Sequence, residues 1–136
     1  MPEPTPLRDN EFIYIAIRNL SLMDLVTGEI TPNAYYLREH DIEGPPPHGL
    51  STTVLDHCPG IEEIKSLTGL KSKVRGVDAL NVGETRRTGL EVVRMSATKA
   101  LIVGMPYPAA DDYEAAERRN ILADKLATIS RRMVRL

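Results

Sequence analysis

Residues 11–19 read Glu11-Phe12-Ile13-Tyr14-Ile15-Ala16-Ile17-Arg18-Asn19. Phe12, Tyr14 and Ala16 alternate with Ile13, Ile15 and Ile17, so both parities of an extended chain are apolar. A strand with one wet face alternates apolar with polar residues. One that is apolar at both parities and rich in β-branched residues is covered on both sides. This stretch is therefore expected to be an interior strand of a sheet, ended by Arg18.

On its N-terminal side, residues 1–10 hold three prolines and almost nothing to bury. They read as a flexible Pro-rich tail, leaving 11–136 as a single domain. On its C-terminal side, Ser21 to Val26 reads as one or two helical turns closed by Gly28. Thr31-Pro32-Asn33 is turn chemistry, and Ala34 to Arg38 reads as a short strand. Glu43 to Gly49 must be loop, because Pro45, Pro46 and Pro47 donate no backbone hydrogen bonds. Leu50 to Leu55 is rich in Thr and Val and reads as a strand. Behind Pro59, Ile61, Ile64 and Leu67 recur at helical spacing. Glu62 and Glu63 sit at the positive end of that helix dipole and Gly69 stops it. Leu70 to Arg75 is a basic connector.

Val77 to Val82, Leu90 to Met95 and Ala100 to Val103 read as strands, with Gly83 to Gly89 a compact polar link and Ser96-Ala97-Thr98 a turn. Asp111 to Arg135 reads as one long helix. Asp111, Asp112, Glu114 and Glu117 load its start and Arg131, Arg132 and Arg135 its end, the order a helix dipole favours. Tyr113, Ala116, Leu122, Ala123, Leu126, Ile129, Met133 and Val134 outline its apolar face. The expectation is an α+β domain: a small mixed or antiparallel sheet, a short middle helix, and a long C-terminal helix packed on it.

Composition narrows the function classes. The net charge is −2, which gives the whole chain no basic footprint for nucleic acid. No apolar run approaches the roughly 18 residues of a membrane span. The N-terminus lacks the basic start and apolar block of a secretory signal. Cys58 is the single cysteine, so no internal disulfide or multi-cysteine metal site is expected. A cytoplasmic protein fits these features.

Tyr35 to Thr53 is the densest polar stretch. As a strand it would put Arg38 and His40 on one face and Glu39 and Asp41 on the other. Arg38 can then hold an anionic group by a bidentate contact; the plainer reading is a surface ion-pair cluster at the end of an element. His48 and His57 flank Ser51-Thr52-Thr53, which suggests a base beside a hydroxyl nucleophile. No Gly-x-Ser-x-Gly surrounds Ser51, and loop histidines are more often solvated. Cys58 beside His57 at a helix start suggests a lowered thiol pKa, yet adjacent side chains rarely point at one another. His40, His48 and His57 match no metal-ligand spacing, so no metal and no cofactor are expected. Arg86 and Arg87, between Gly83 and Gly89, lack the phosphate-loop pattern but can contact a phosphate or an acidic partner. The candidate binding residues are Arg18, Arg38, His48, Ser51, Thr52, Arg86 and Arg87.

Several segments together resemble a loose group of small bacterial proteins of unassigned activity: Tyr14 to Arg18, Leu37-Arg38-Glu39-His40-Asp41, Gly49-Leu50-Ser51, Val77 to Gly83, Gly89-Leu90-Glu91-Val92-Val93, and Gly104-Met105-Pro106 before the terminal helix. The insert between Asp41 and Gly49 is longer here than that pattern. A second likeness is to mono-ADP-ribosyltransferases, which often place an arginine on an early strand and Ser-Thr-Ser on a later one to hold NAD. Arg18 and Ser51-Thr52-Thr53 stand in that order. Thr53 replaces the last serine, and the Glu-x-Glu or Gln-x-Glu pair of those enzymes is missing.

Two functions are therefore carried forward. One is a small binding or regulatory module acting with a protein partner or as a homo-oligomer. The other is a small enzyme acting on a phosphate-bearing nucleotide such as NAD. Convergence of Arg18, Arg38 and Ser51 in one pocket would favour the second.

Overall fold

The computed structural model describes residues 5–17, 27, 29–57, 59–69, 74 and 76–135. The stretch 12–17 forms strand β1 (Phe12–Ile17). It is joined by β2 (Gly49–Val54), β3 (Gly76–Asn81), β4 (Glu91–Arg94), β5 (Lys99–Val103) and β6 (Arg131–Arg135). The sheet order is β4-β5-β2-β1-β3-β6, and every neighbouring pair is antiparallel. The helices are α1 (Ile61–Thr68), α2 (Val82–Arg87) and α3 (Tyr113–Ile129). This is the expected α+β arrangement, with the sheet wholly antiparallel. No helix among the described residues is long and apolar enough to cross a membrane.

The double parity of β1 has the predicted consequence. Ile13 and Ile17 join the larger core with Leu50, Val54, Leu80, Ile102, Tyr35 and Leu126, on the side of α3. Tyr14 joins a smaller core with Ile64, Val74, Val77 and Ala79, on the side of α1. Leu7 also belongs to the larger core at 3% exposure, so part of the stretch read as a tail packs on the domain.

Several local expectations need correction. The segment Ala34–Arg38 is not a strand: 3-10 turns cover Pro32–Tyr35 and Glu39–Ile42. Proline opens the first. In the second, the Asp41 carboxylate accepts the Arg38 amide at 2.8 Å, a local bond that competes with a ladder. The polar link Gly83–Gly89 is mostly helix α2. Asn81 caps it by accepting the Glu84 amide at 2.9 Å, and Val82 and Thr85 are fully buried. Gly83 serves close approach rather than a break, since a Cβ there would stand 2.9 Å from the Asp9 carbonyl oxygen.

The C-terminal helix stops at Ile129, and the chain continues as β6, pairing with β3. Ser130 is the switch. It is extended (φ −66°, ψ 143°), and both its amide and its hydroxyl donate to the Leu126 carbonyl. Its hydroxyl also bonds the Tyr35 phenol. Met133 and Val134 only continued the helical spacing by coincidence. Tyr113, assigned to the apolar face, is 81% exposed. The expected turns over Ser21–Val26 with Gly28, and most of the connector Leu70–Arg75, lie outside the described residues.

Candidate functional site

The registry of β1 against its two neighbours is unequal. With β3 it pairs over all six residues, but with β2 only Ile13↔Val54 and Tyr14↔Thr53 are matched. A continued ladder would pair Ile15 with Thr52 and Ala16 with Ser51; instead the strands part. A cavity of about 390 Å³ opens at that point, lined by Tyr14, Ile15, Ala16, Ser51, Thr52, Thr53, Thr98 and Lys99. Leu67 and Thr68, from the last turn of α1, complete the wall. The splay explains why residues of both strand parities reach one space: it lies partly between the strands.

The polar groups are set by cross-strand pairing. Tyr14 faces Thr53 across β1–β2, and Thr53 faces Lys99 across β2–β5. Directly opposed residues hold their Cβ atoms about 5 Å apart, so Tyr14, Thr53 and Lys99 stand in a row over three strands. Ser51 lies two residues along β2 on the same face as Thr53. Thr53 is only 4% exposed, yet among the described residues its hydroxyl has no hydrogen-bond partner. Its neighbour Thr52 is different: its hydroxyl donates to the Ala100 carbonyl at 3.0 Å on the other face. Thr68 likewise donates to Ile64 within α1. Lys99 is exposed and pairs with no carboxylate among the described residues.

The other candidates lie elsewhere. Arg38 does not line the cavity. Its neighbours Tyr35 and Leu37 pack in the α3-side core, so Arg38 and Ser51 do not converge. Arg18 and Cys58 lie outside the described residues. The His48 ring bonds the Gly44 carbonyl at 2.8 Å, bracing the proline loop.

Arg86 is a structural clamp. It donates to Glu91 at 2.7 Å, to Asp9 and the Leu7 carbonyl at 2.9 Å, and to the Val92 carbonyl at 3.2 Å. The Val92 amide and Arg86 together hold the Glu91 carboxyl below its ordinary pKa. Arg87 is exposed beside Glu84, Asp124 and Lys125, a hollow of mixed sign. Among the described residues no His, Cys, Asp and Glu cluster that would hold a metal ion is found.

His57, read as a possible base, is held at the mouth of α1. Its Nδ1 is 2.7 Å from Asp56, and its Nε2 is 2.9 Å from both Glu63 carboxylate oxygens. The Asp56 hydrogen bond, then the Glu63 contact, raise the imidazole above its ordinary 6.5. A raised histidine contributes stability that is complete below the unfolded pKa and lost as pH rises through the folded one. Asp56, lowered by the same histidine, contributes above its ordinary 3.8 and loses that as pH falls through its folded value. The clasp is thus strongest in mildly acidic solution. The expected NMR titration midpoint of His57 lies above 6.5, and Glu63→Gln lowers it. A midpoint below that value, unmoved by Glu63→Gln, would rule the clasp out.

Of the sequence candidates, Ser51 and Thr52 reach the cavity. Thr53 was read only as part of the Ser51-Thr52-Thr53 segment, and Tyr14, Leu67, Thr98 and Lys99 were not read as site residues, because the fold brings them together from four segments. The available signal was the Ser51/Thr53 alternation, two hydroxyls on one face of a strand. No family model, curated protein or solved structure matches the chain, so the two likenesses rest on the short segments that suggested them.

Proposed function

We propose that the chain is a small binding module, with no chemistry of its own, whose ligand occupies the cavity between β1, β2, β5 and α1. The observation that carries this is the Thr53 hydroxyl, buried in the cavity wall with no protein partner among the described residues. An acceptor on a ligand in the cavity gives that hydroxyl a direct partner, a bond worth about 0.5–1.5 kcal/mol net. The lining suits a bound ligand: among the described residues it holds hydroxyls and one ammonium and no carboxylate, imidazole or thiol.

The test is a ¹⁵N-amide NMR screen of the whole chain against a library of small polar compounds. Hits are expected to shift Ser51, Thr53, Leu67, Thr98 and Lys99 together, and to raise the melting temperature. A ligand at a hundred times its Kd adds about 2.7 kcal/mol. A screen whose hits map elsewhere, or that finds none, would refute the reading.

A protein partner or second copy is a separate reading, favoured by the outer edge of β6, which among the described residues pairs with β3 alone. An open edge offers backbone donors and acceptors for strand addition. Light scattering over a wide concentration range tests the second copy; a constant monomer mass removes it.

A further inference from the structure

We infer that the ligand of this cavity is a compact organic anion, a carboxylate or phosphate carried on a small apolar body. This rests on the binding-module reading above and names the chemistry of its ligand. Among the described residues Lys99 is the one charged residue in the lining, and no acid there opposes it. Its register opposite Thr53, with Ser51 two residues away, puts a lysine and two hydroxyl-bearing residues on a single face. An anion accepts from all three. Charge-assisted bonds of this kind are about twice as strong as neutral ones.

Apart from Thr52, Thr68 and Thr98, the rest of the described wall is apolar. Ala16, the Tyr14 ring and Leu67 line the cavity away from β5. Leu67, 41% exposed, adds an apolar side chain to that wall. Size sets a further limit. At about 390 Å³ the cavity is near the small end of the roughly 300–1,000 Å³ typical of ligand sites. One ring with one anionic group fits that volume better than a dinucleotide.

The experiment uses the full chain and three probes of the same shape: benzoate, phenyl phosphate and neutral benzamide, each titrated by amide NMR. Benzoate or phenyl phosphate is expected to shift Ser51, Thr53 and Lys99, with the anion that binds better distinguishing carboxylate from phosphate. Benzamide is expected to bind about tenfold more weakly or not at all. Lys99→Gln should weaken the anions about tenfold and leave benzamide unchanged, whereas Lys99→Arg should retain them. Lys99 is exposed, and the amide spectrum of each variant reports directly whether it is folded.

Benzamide binding at these residues as tightly as benzoate, and indifferent to Lys99→Gln, would overturn the anion assignment while leaving the binding module intact. Anions that shift only Arg87, Lys125 and their neighbours would also overturn it. No response at the cavity to any of the three probes, with neutral library compounds binding there, refutes the anion alone; no response to any compound refutes both readings.

Discussion

Leu126→Ala is expected to remove about 2–5 kcal/mol of stability, in the upper half of that range. Leu126 is fully buried, and Ala123 is the other fully buried residue of α3. Ala123 is already minimal, so the docking of a 17-residue helix depends heavily on one leucine, helped by the partly buried Leu122 and Ile129. The elements packed against this helix are the Pro32–Tyr35 turn, α2 and β3, and they cannot all close on the space a truncated side chain leaves. A domain of this size is stable by about 5–15 kcal/mol, so the loss is a large fraction of the total. Urea unfolding should show a lower midpoint with an unchanged slope. Ile121→Ala on the same helix, where the side chain is 50% exposed, should move stability by no more than about 0.5 kcal/mol. Equal small losses for the two variants would mean that α3 does not dock through Leu126.

That helix also shows how far a sequence can be read. Its start was legible because Asp112 is a genuine cap, accepting the Ala115 amide at 3.0 Å. Its end was not. Arginine is compatible with a helix terminus and with an edge strand alike, and Arg131, Arg132 and Arg135 satisfied the dipole argument without being helical. What decided the boundary was Ser130, whose partner Tyr35 lies 95 residues away. The interior strand was legible for the opposite reason. Six apolar residues at both parities leave an extended chain only one satisfactory environment, a sheet buried on two sides.

The candidate site divides in the same way. Ser51 and Thr52 were found because their own segment is unusual. Lys99 and Tyr14 were not, since neither is unusual locally and only registry places them beside Thr53. Arg38 was misplaced by a wrong period: alternating faces were assigned to a segment that turns as two short 3-10 elements. Arg86 looked available for a ligand because its partners, Asp9 and the Leu7 carbonyl, are nearly 80 residues distant in sequence.

Gly49→Ala is expected to cost about 1–3 kcal/mol, although Gly49 does not have a positive φ. The glycine is needed for space. A Cβ at this position would stand 2.4 Å from the Ile102 carbonyl oxygen and 3.0 Å from its carbon. Both are backbone atoms of β5, which cannot rotate away as a side chain would, so β2 and β5 must separate at that end. Alanine also narrows the unfolded chain, worth about 0.4–1 kcal/mol in the other direction, and that gain is too small to offset the clash. Gly49 is the first residue of β2, opposite Val103, while Thr53 and Lys99 lie at the other end of the same ladder. Amide exchange should therefore accelerate first around Leu50 and Ile102, with the Thr53–Lys99 end less affected. Ser51→Ala, on the same strand but exposed, supplies the comparison and should stay within about 0.5 kcal/mol. A Gly49→Ala protein as stable as that control, with unchanged exchange at Leu50 and Ile102, would show that β2 and β5 do not approach this closely. The glycine that opens the Gly49-Leu50-Ser51 segment would then need another explanation.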